Sequence, residues 1–212
     1  MGTSTILDII TSAVIAGVLL LIALRLNAQA NESTMVYNGS VILQQNITTL
    51  VAWIEHDFRQ IGYCRDWTKI PKSSAAFRRA DSSDITFWTD VNNTGNLDSI
   101  RWFIGPLTDP VVAATPNPRD RLIYRVVNGA ATKGWNLGVT QFQLKYFDYT
   151  RRVLTTPVAS PDMIFEIQIS IACESPYKFS TQWQSSKNGS DSSDFQVFWR
   201  QLRLAARNLK AR

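Results

Sequence analysis

Hydrophobic positions follow two different periods along this chain. From residue 6 to residue 26 almost every side chain is apolar, with Asp8 near the start of the run and Arg25 near its end. A helix of about 17 apolar residues is the lower limit for crossing a bilayer, and Arg25 can reach the interface with its long stem. Further on, apolar residues recur at Leu43, Ile47, Leu50, Val51, Ile54, Phe58 and Ile61. Steps of three and four predict an amphipathic helix. Gln44, Gln45, Asn46, Glu55, Asp57 and Arg59 fall on its polar side, and Gly62 is placed to cap its end. Residues 31–40 lie between the two halves, hold few helix formers and include Gly39, so the helix is weakest there. Continuous over 5–61, it would be a rod about 85 Å long.

Beyond Cys64 the period shortens to that of strands. Strands are expected over 85–89, 100–104, 122–127, 139–147, 163–173 and 195–204, the fifth with Ile167, Ile169 and Ile171 alternating with Gln168 and Ser170. Residues 65–82, 106–118 and 185–193 carry the Pro, Ser, Asp and Gly of loops, and 90–98 reads as a turn. The fold class is therefore α+β, a long N-terminal helix packed on an antiparallel sheet. It divides into an apolar helix half (1–27), an amphipathic half (28–62) and a β-rich domain (63–212).

With 212 residues, 45% of them hydrophobic and seven Trp, the chain has material for a real core. Its net charge of +5 owes much to Arg200, Arg203, Arg207, Lys210 and Arg212. Leu202, Leu204 and Leu209 are interleaved with them, which describes the solvated face of a half-buried element, and no nucleic-acid partner is expected. The single histidine, His56, sits in a helical Glu55-His56-Asp57 with no nucleophile motif beside it. Nothing resembles a catalytic site, so no enzyme is expected.

Cys64 and Cys173 have no C-x-x-C spacing, which excludes a cysteine zinc site. They are either a disulfide or two buried thiols. An extracytoplasmic setting favours the bridge, which would staple helix end to sheet and contribute about 4–5 kcal/mol in the chain-entropy model. In the turn, Asp90, Asn92 and Asp98 are spaced like the front of a calcium loop, with Gly95 inside it and Arg101 where a closing Glu would stand. The competing reading is a hairpin turn made of Asn, Gly and Asp for conformational reasons. No other cofactor is expected. Glycan acceptor sequons begin at Asn31, Asn38, Asn46, Asn92 and Asn188.

The apolar start admits three readings: a signal peptide cut after Ala28-Gln29-Ala30, a plain membrane anchor, or a helix that is stored in a membrane and later packs inside a filament. Asp8 bears on the choice. A carboxylate at the centre of a membrane helix costs about 2.5–3.5 kcal/mol, and no Lys or Arg precedes Arg25. A neighbouring copy could supply the missing cation.

At these residues the chain resembles the type IV pilin and pseudopilin superfamily. Thr5-Ile6-Leu7-Asp8-Ile9-Ile10 is similar to the mature pilin start, with Asp8 where the family has Glu. His56-Asp57-Phe58-Arg59-Gln60-Ile61-Gly62-Tyr63-Cys64 resembles the helix end of PilW-like minor pilins and J-type pseudopilins. Leu202-Arg203-Leu204-Ala205-Ala206-Arg207-Asn208-Leu209 is similar to the terminus of the same group, and Leu122-Ile123-Tyr124-Arg125 and Gly138-Val139-Thr140 follow in matching order. The resemblance implies a filament subunit, held in the inner membrane and then in a cell-surface or periplasmic fibre. Its partners would be copies of itself and a pilus or secretion assembly machinery. Asp8 would pair with a neighbour's N-terminal ammonium, and Ala16 and Gly17 would let helices approach closely. Alternatives are a minor or tip pilin, a type II secretion pseudopilin, and a monomeric membrane-anchored binding module.

Overall fold

The structure is a computed structural model that describes residues 2–70, 76–131, 133–178, 195–205 and 208. It begins with one helix, α1 (Gly2–Arg59). The chain divides into two compact units, Met1–Val41 and Ile42–Arg212.

In the first unit the chain is helical throughout the described residues, including 31–40, where the sequence predicts the weakest helix. Its hydroxyls are folded back onto the helix's own carbonyls. Thr11 donates to Leu7 O at 2.8 Å, Ser12 to Ile9 O at 2.9 Å and Thr34 to Ala30 O at 2.9 Å. That arrangement lets Ser and Thr sit in an apolar helix without unsatisfied polar groups. No described residue from 2 to 41 is buried.

The second unit contains the rest of α1 and an eight-stranded antiparallel sheet. Its strands are β1 (Phe77–Ala80), β2 (Asp84–Thr89), β3 (Asp98–Ile104), β4 (Arg121–Val127), β5 (Trp135–Phe147), β6 (Val153–Leu154), β7 (Glu166–Lys178) and β8 (Phe195–Ala205). The order is β1-β2-β3-β4-β5-β7-β8, with β6 paired to the end of β5. Leu43, Ile47, Leu50, Ile54 and Phe58 of α1 share one core with Phe87, Trp102, Ile123, Leu144, Ile167 and Ile169 of the sheet. This is the α+β architecture that the two periods imply.

The differences lie in the loops and strand ends. Residues 65–82 are not all loop, because β1 forms there as a four-residue edge strand on β2. A short helix, α2 (Pro110–Ala113), opens inside the expected loop 106–118, its start fixed by the Asp109 carboxylate accepting from Val111 N. β7 starts later than expected and runs past Cys173. The expected loop 185–193 lies outside the described residues. Gly62 follows the end of α1 with φ +72°, the left-handed geometry of a helix stop. Gly138, also at φ +72°, lies in the irregular pairing of β5 with β4, and a Cβ there would come within 2.7 Å of Glu174 O.

Candidate functional site

The end of α1 is fixed to the sheet by a buried charge. Asp57 lies three residues after Ile54 and next to Phe58, on the buried face. It is 4% exposed, which corrects its assignment to the polar side of the helix. Its carboxylate accepts from Arg125 Nε at 2.6 Å and Nη2 at 3.1 Å, and from Trp102 Nε1 at 2.8 Å. A two-pronged guanidinium contact is both strong and geometrically restrictive. Because Trp102 comes from β3 and Arg125 from β4, this one carboxylate sets where α1 sits on two adjacent strands. His56 stands at its rim, 68% exposed, with Nδ1 3.7 Å from Asp57 Oδ1.

A second tie closes the same helix end. The Asn208 side-chain amide donates to Arg59 O and to Ile61 O, both at 3.2 Å. Those carbonyls are among the ones a helix terminus leaves without partners. Asn208, from the second of the stretches that carry the pilin resemblance, therefore meets Arg59 and Ile61 of the first. Their separation in sequence hides this.

Beside the clamp lies an open groove of about 390 Å³, lined by Trp53, His56, Asp57, Arg125 and Trp135. Trp53 and Trp135 have ring centroids 5.1 Å apart and planes inclined at 52°, and the buried Trp102 sits 6.0 Å behind Trp135. No local spacing signals this pairing, which depends on where β5 starts.

On the far side of the sheet, Glu174 is 6% exposed and accepts from Arg119, Asn117 and Thr140. Near it Asp120 is 2% exposed, and its Oδ1 has no hydrogen-bond partner among the described residues. Burial pushes the Asp120 carboxyl above its ordinary value. A Thr115 hydrogen bond works against that shift, and the charge of Glu174 adds to it.

Cys64 and Cys173 are both free, buried thiols, and the expected bridge is not formed. Cys64 Sγ lies 3.9 Å from Asp90 Oδ2, just past β2. Cys173 is on β7, with β3, β4 and β5 between the two strands. Four strand spacings come to about 19 Å, whereas a disulfide needs Cα atoms within about 7 Å. Burial, with the charges of Asp120 and Glu174, pushes the Cys173 thiol up to about 12, so it is a poor nucleophile as well.

Asp90 and Asn92 lie in the β2–β3 turn and Asp98 opens β3, each with its oxygens on the protein's own donors. Asp90 accepts from the backbone N–H of Thr94 at 2.9 Å, Gly95 at 2.7 Å and Arg65 at 3.2 Å. Burial acts to raise its carboxyl, and the amides outweigh it and hold it below the ordinary value. Asp98 accepts from Val91 N and from Asn128 Nδ2, and Asn92 from the Thr94 hydroxyl. A calcium ion here would have to displace these donors. Among the described residues no group of three or more His, Cys, Asp and Glu is arranged to hold a metal.

Asp8, Ala16 and Gly17 lie exposed on the first unit's helix, and a Cβ on Gly17 would meet no atom within 4 Å. Of the sequons, Asn31, Asn38 and Asn92 are exposed and Asn46 is half-buried. Asn188 lies outside the described residues.

No protein-family model matches the chain, and no curated protein does. Among solved structures, a type IV-like pilin from Thermus thermophilus is similar, with a TM-score of 0.46 at 10% identity, over 79% of this chain and 98% of that one.

Proposed function

We propose that this chain is a pilin-like structural subunit of a cell-envelope filament, assembled through the apolar half of α1. One observation carries the reading. The first unit is a helix long and apolar enough to cross a membrane, and none of its described side chains is buried. An apolar helix without a partner in its own chain needs lipid or other helices around it. The resemblance of residues 5–10 and 56–64 to pilin motifs favours both in turn: inner membrane first, then a bundle of identical helices.

In that bundle Asp8 pairs with the N-terminal ammonium of an adjacent subunit. Arg25 of the same chain is about 25 Å away along the helix and is out of reach. Burying such a pair gains little stability, but an unmatched charge penalises every wrong register. Ala16 and Gly17 keep the helix surface low enough for close approach. The β-domain forms the outer wall, with α1 fixed to it through Asp57. The likeness of 56–64 and 202–209 to PilW-like proteins narrows the role to a minor or tip pilin or a secretion pseudopilin, and the fraction of fibre mass contributed by this chain tests that narrower reading.

Electron microscopy of sheared surface filaments, with peptide mapping, tests the assembly reading. Wild-type chain should be found in fibres. Asp8→Ala and the Ala16→Trp, Gly17→Trp double variant should leave membrane-inserted, folded subunits and few fibres. Normal fibre yield from both variants would leave a monomeric membrane-anchored module as the better description.

A further inference from the structure

We infer that the groove beside the Asp57 clamp is a carbohydrate site that takes one neutral hexopyranose unit of a glycan. One wall is the indole pair of Trp53 and Trp135, which pack against each other inclined at 52° with centroids 5.1 Å apart. Trp53 keeps 43% of its surface in solvent. A single exposed aromatic is ordinary. Here the exposed Trp53 and the half-buried Trp135 border a polar floor within one volume of about 390 Å³, inside the range of small-ligand sites of about 300–1,000 Å³.

The floor selects the ligand. Arg125 uses Nε and Nη2 on Asp57, and its Nη1 has no partner among the described residues. Asp57 offsets its charge, so the groove offers N–H donors with little net field. At the rim, the exposed imidazole of His56 can donate or accept. A pyranose ring has an apolar C–H face and a hydroxyl edge. The C–H face fits an indole, and the hydroxyls fit Arg125 and His56.

Other ligand classes fit less well. An organic cation would find no free carboxylate at the floor, because Asp57 is already paired with Arg125. A polyanion would find that guanidinium already neutralised. An alkyl chain would strip water from Arg125 and His56 and return no hydrogen bond.

The test uses the full chain in a detergent with no sugar headgroup, on an array of glucose-, galactose- and mannose-terminated oligosaccharides. The best probe is then titrated by calorimetry. Wild type should bind, Trp53→Ala should weaken binding at least about tenfold, and Trp53→Phe should stay within about threefold. Trp199→Ala, at a 67% exposed position on β8, should bind like wild type. Circular dichroism checks that each variant is folded. Failure of the wild type to retain any oligosaccharide at millimolar concentration overturns the inference. So does equal binding by wild type and Trp53→Ala, or displacement of the probe by tetramethylammonium and not by free hexose.

Discussion

Residues 6–26 and residues 43–58 belong to one helix, and both repeat aliphatic side chains along it, yet they end in opposite states. Leu19 is 61% exposed and Leu50 is 0% exposed. The second stretch leaves its polar side to water and presents a stripe, which the sheet covers. The first is apolar all round, and none of its described residues is buried. Hydrophobicity alone therefore does not set burial here; the width of the apolar face does. A stripe matches a sheet of the same molecule, whereas a helix apolar on every side calls for an environment apolar on every side.

The largest effect should come from the clamp. Asp57→Ala leaves the buried Trp102 N–H without its acceptor and the half-buried Arg125 without its counter-charge, and should cost about 3 kcal/mol of domain stability, read as the denaturant midpoint of the full chain in micelles. A loss below about 1 kcal/mol would mean that α1 is held on the sheet by apolar packing alone.

Next come two leucines that differ only in their surroundings. Leu50→Ala should lower stability by about 2–5 kcal/mol through the cavity it leaves. Leu19→Ala should change the same midpoint by less than about 0.5 kcal/mol. Equal shifts would erase the contrast between the two stretches.

The smallest effect is pH-dependent. The folded Asp120 carboxyl holds its proton more tightly than the unfolded one, whose ordinary value is 3.8. Its contribution is therefore fully present below that value and is lost as pH rises through the folded value. Asp120→Asn removes the loss. The variant should be about 1 kcal/mol more stable than wild type at pH 7, and the gap should close as the midpoint is followed down toward pH 4.

Much of this was legible from spacing. The change from steps of three and four to alternation marks the boundary between helix and sheet, and six strands were visible as alternating runs. β1 and β6 were not: Phe77–Ala80 includes the pair Arg78 and Arg79 and exists only by pairing with β2, and β6 is two residues long. The position of Asp57 was misassigned, although its spacing from Leu50 and Ile54 is that of the buried face. It reads as polar-side because a buried Asp needs a partner, and its partner Arg125 is 68 residues away. The groove was out of reach for the same reason: Trp53 and Trp135 become neighbours only once β3, β4 and β5 are in register. The bridge between the cysteines failed on strand order, which local pattern does not encode.

The Asn208 amide on Arg59 O closes a contact 149 residues apart in sequence. Long-range contacts of this kind are made late, because the intervening chain must first be ordered. During synthesis residue 208 also emerges long after α1. The helix end therefore stays unlatched while the apolar half is already available to a membrane, and it becomes latched only when β8 is laid beside β7. Insertion would precede maturation of the domain by the order of translation alone, without a separate timing factor.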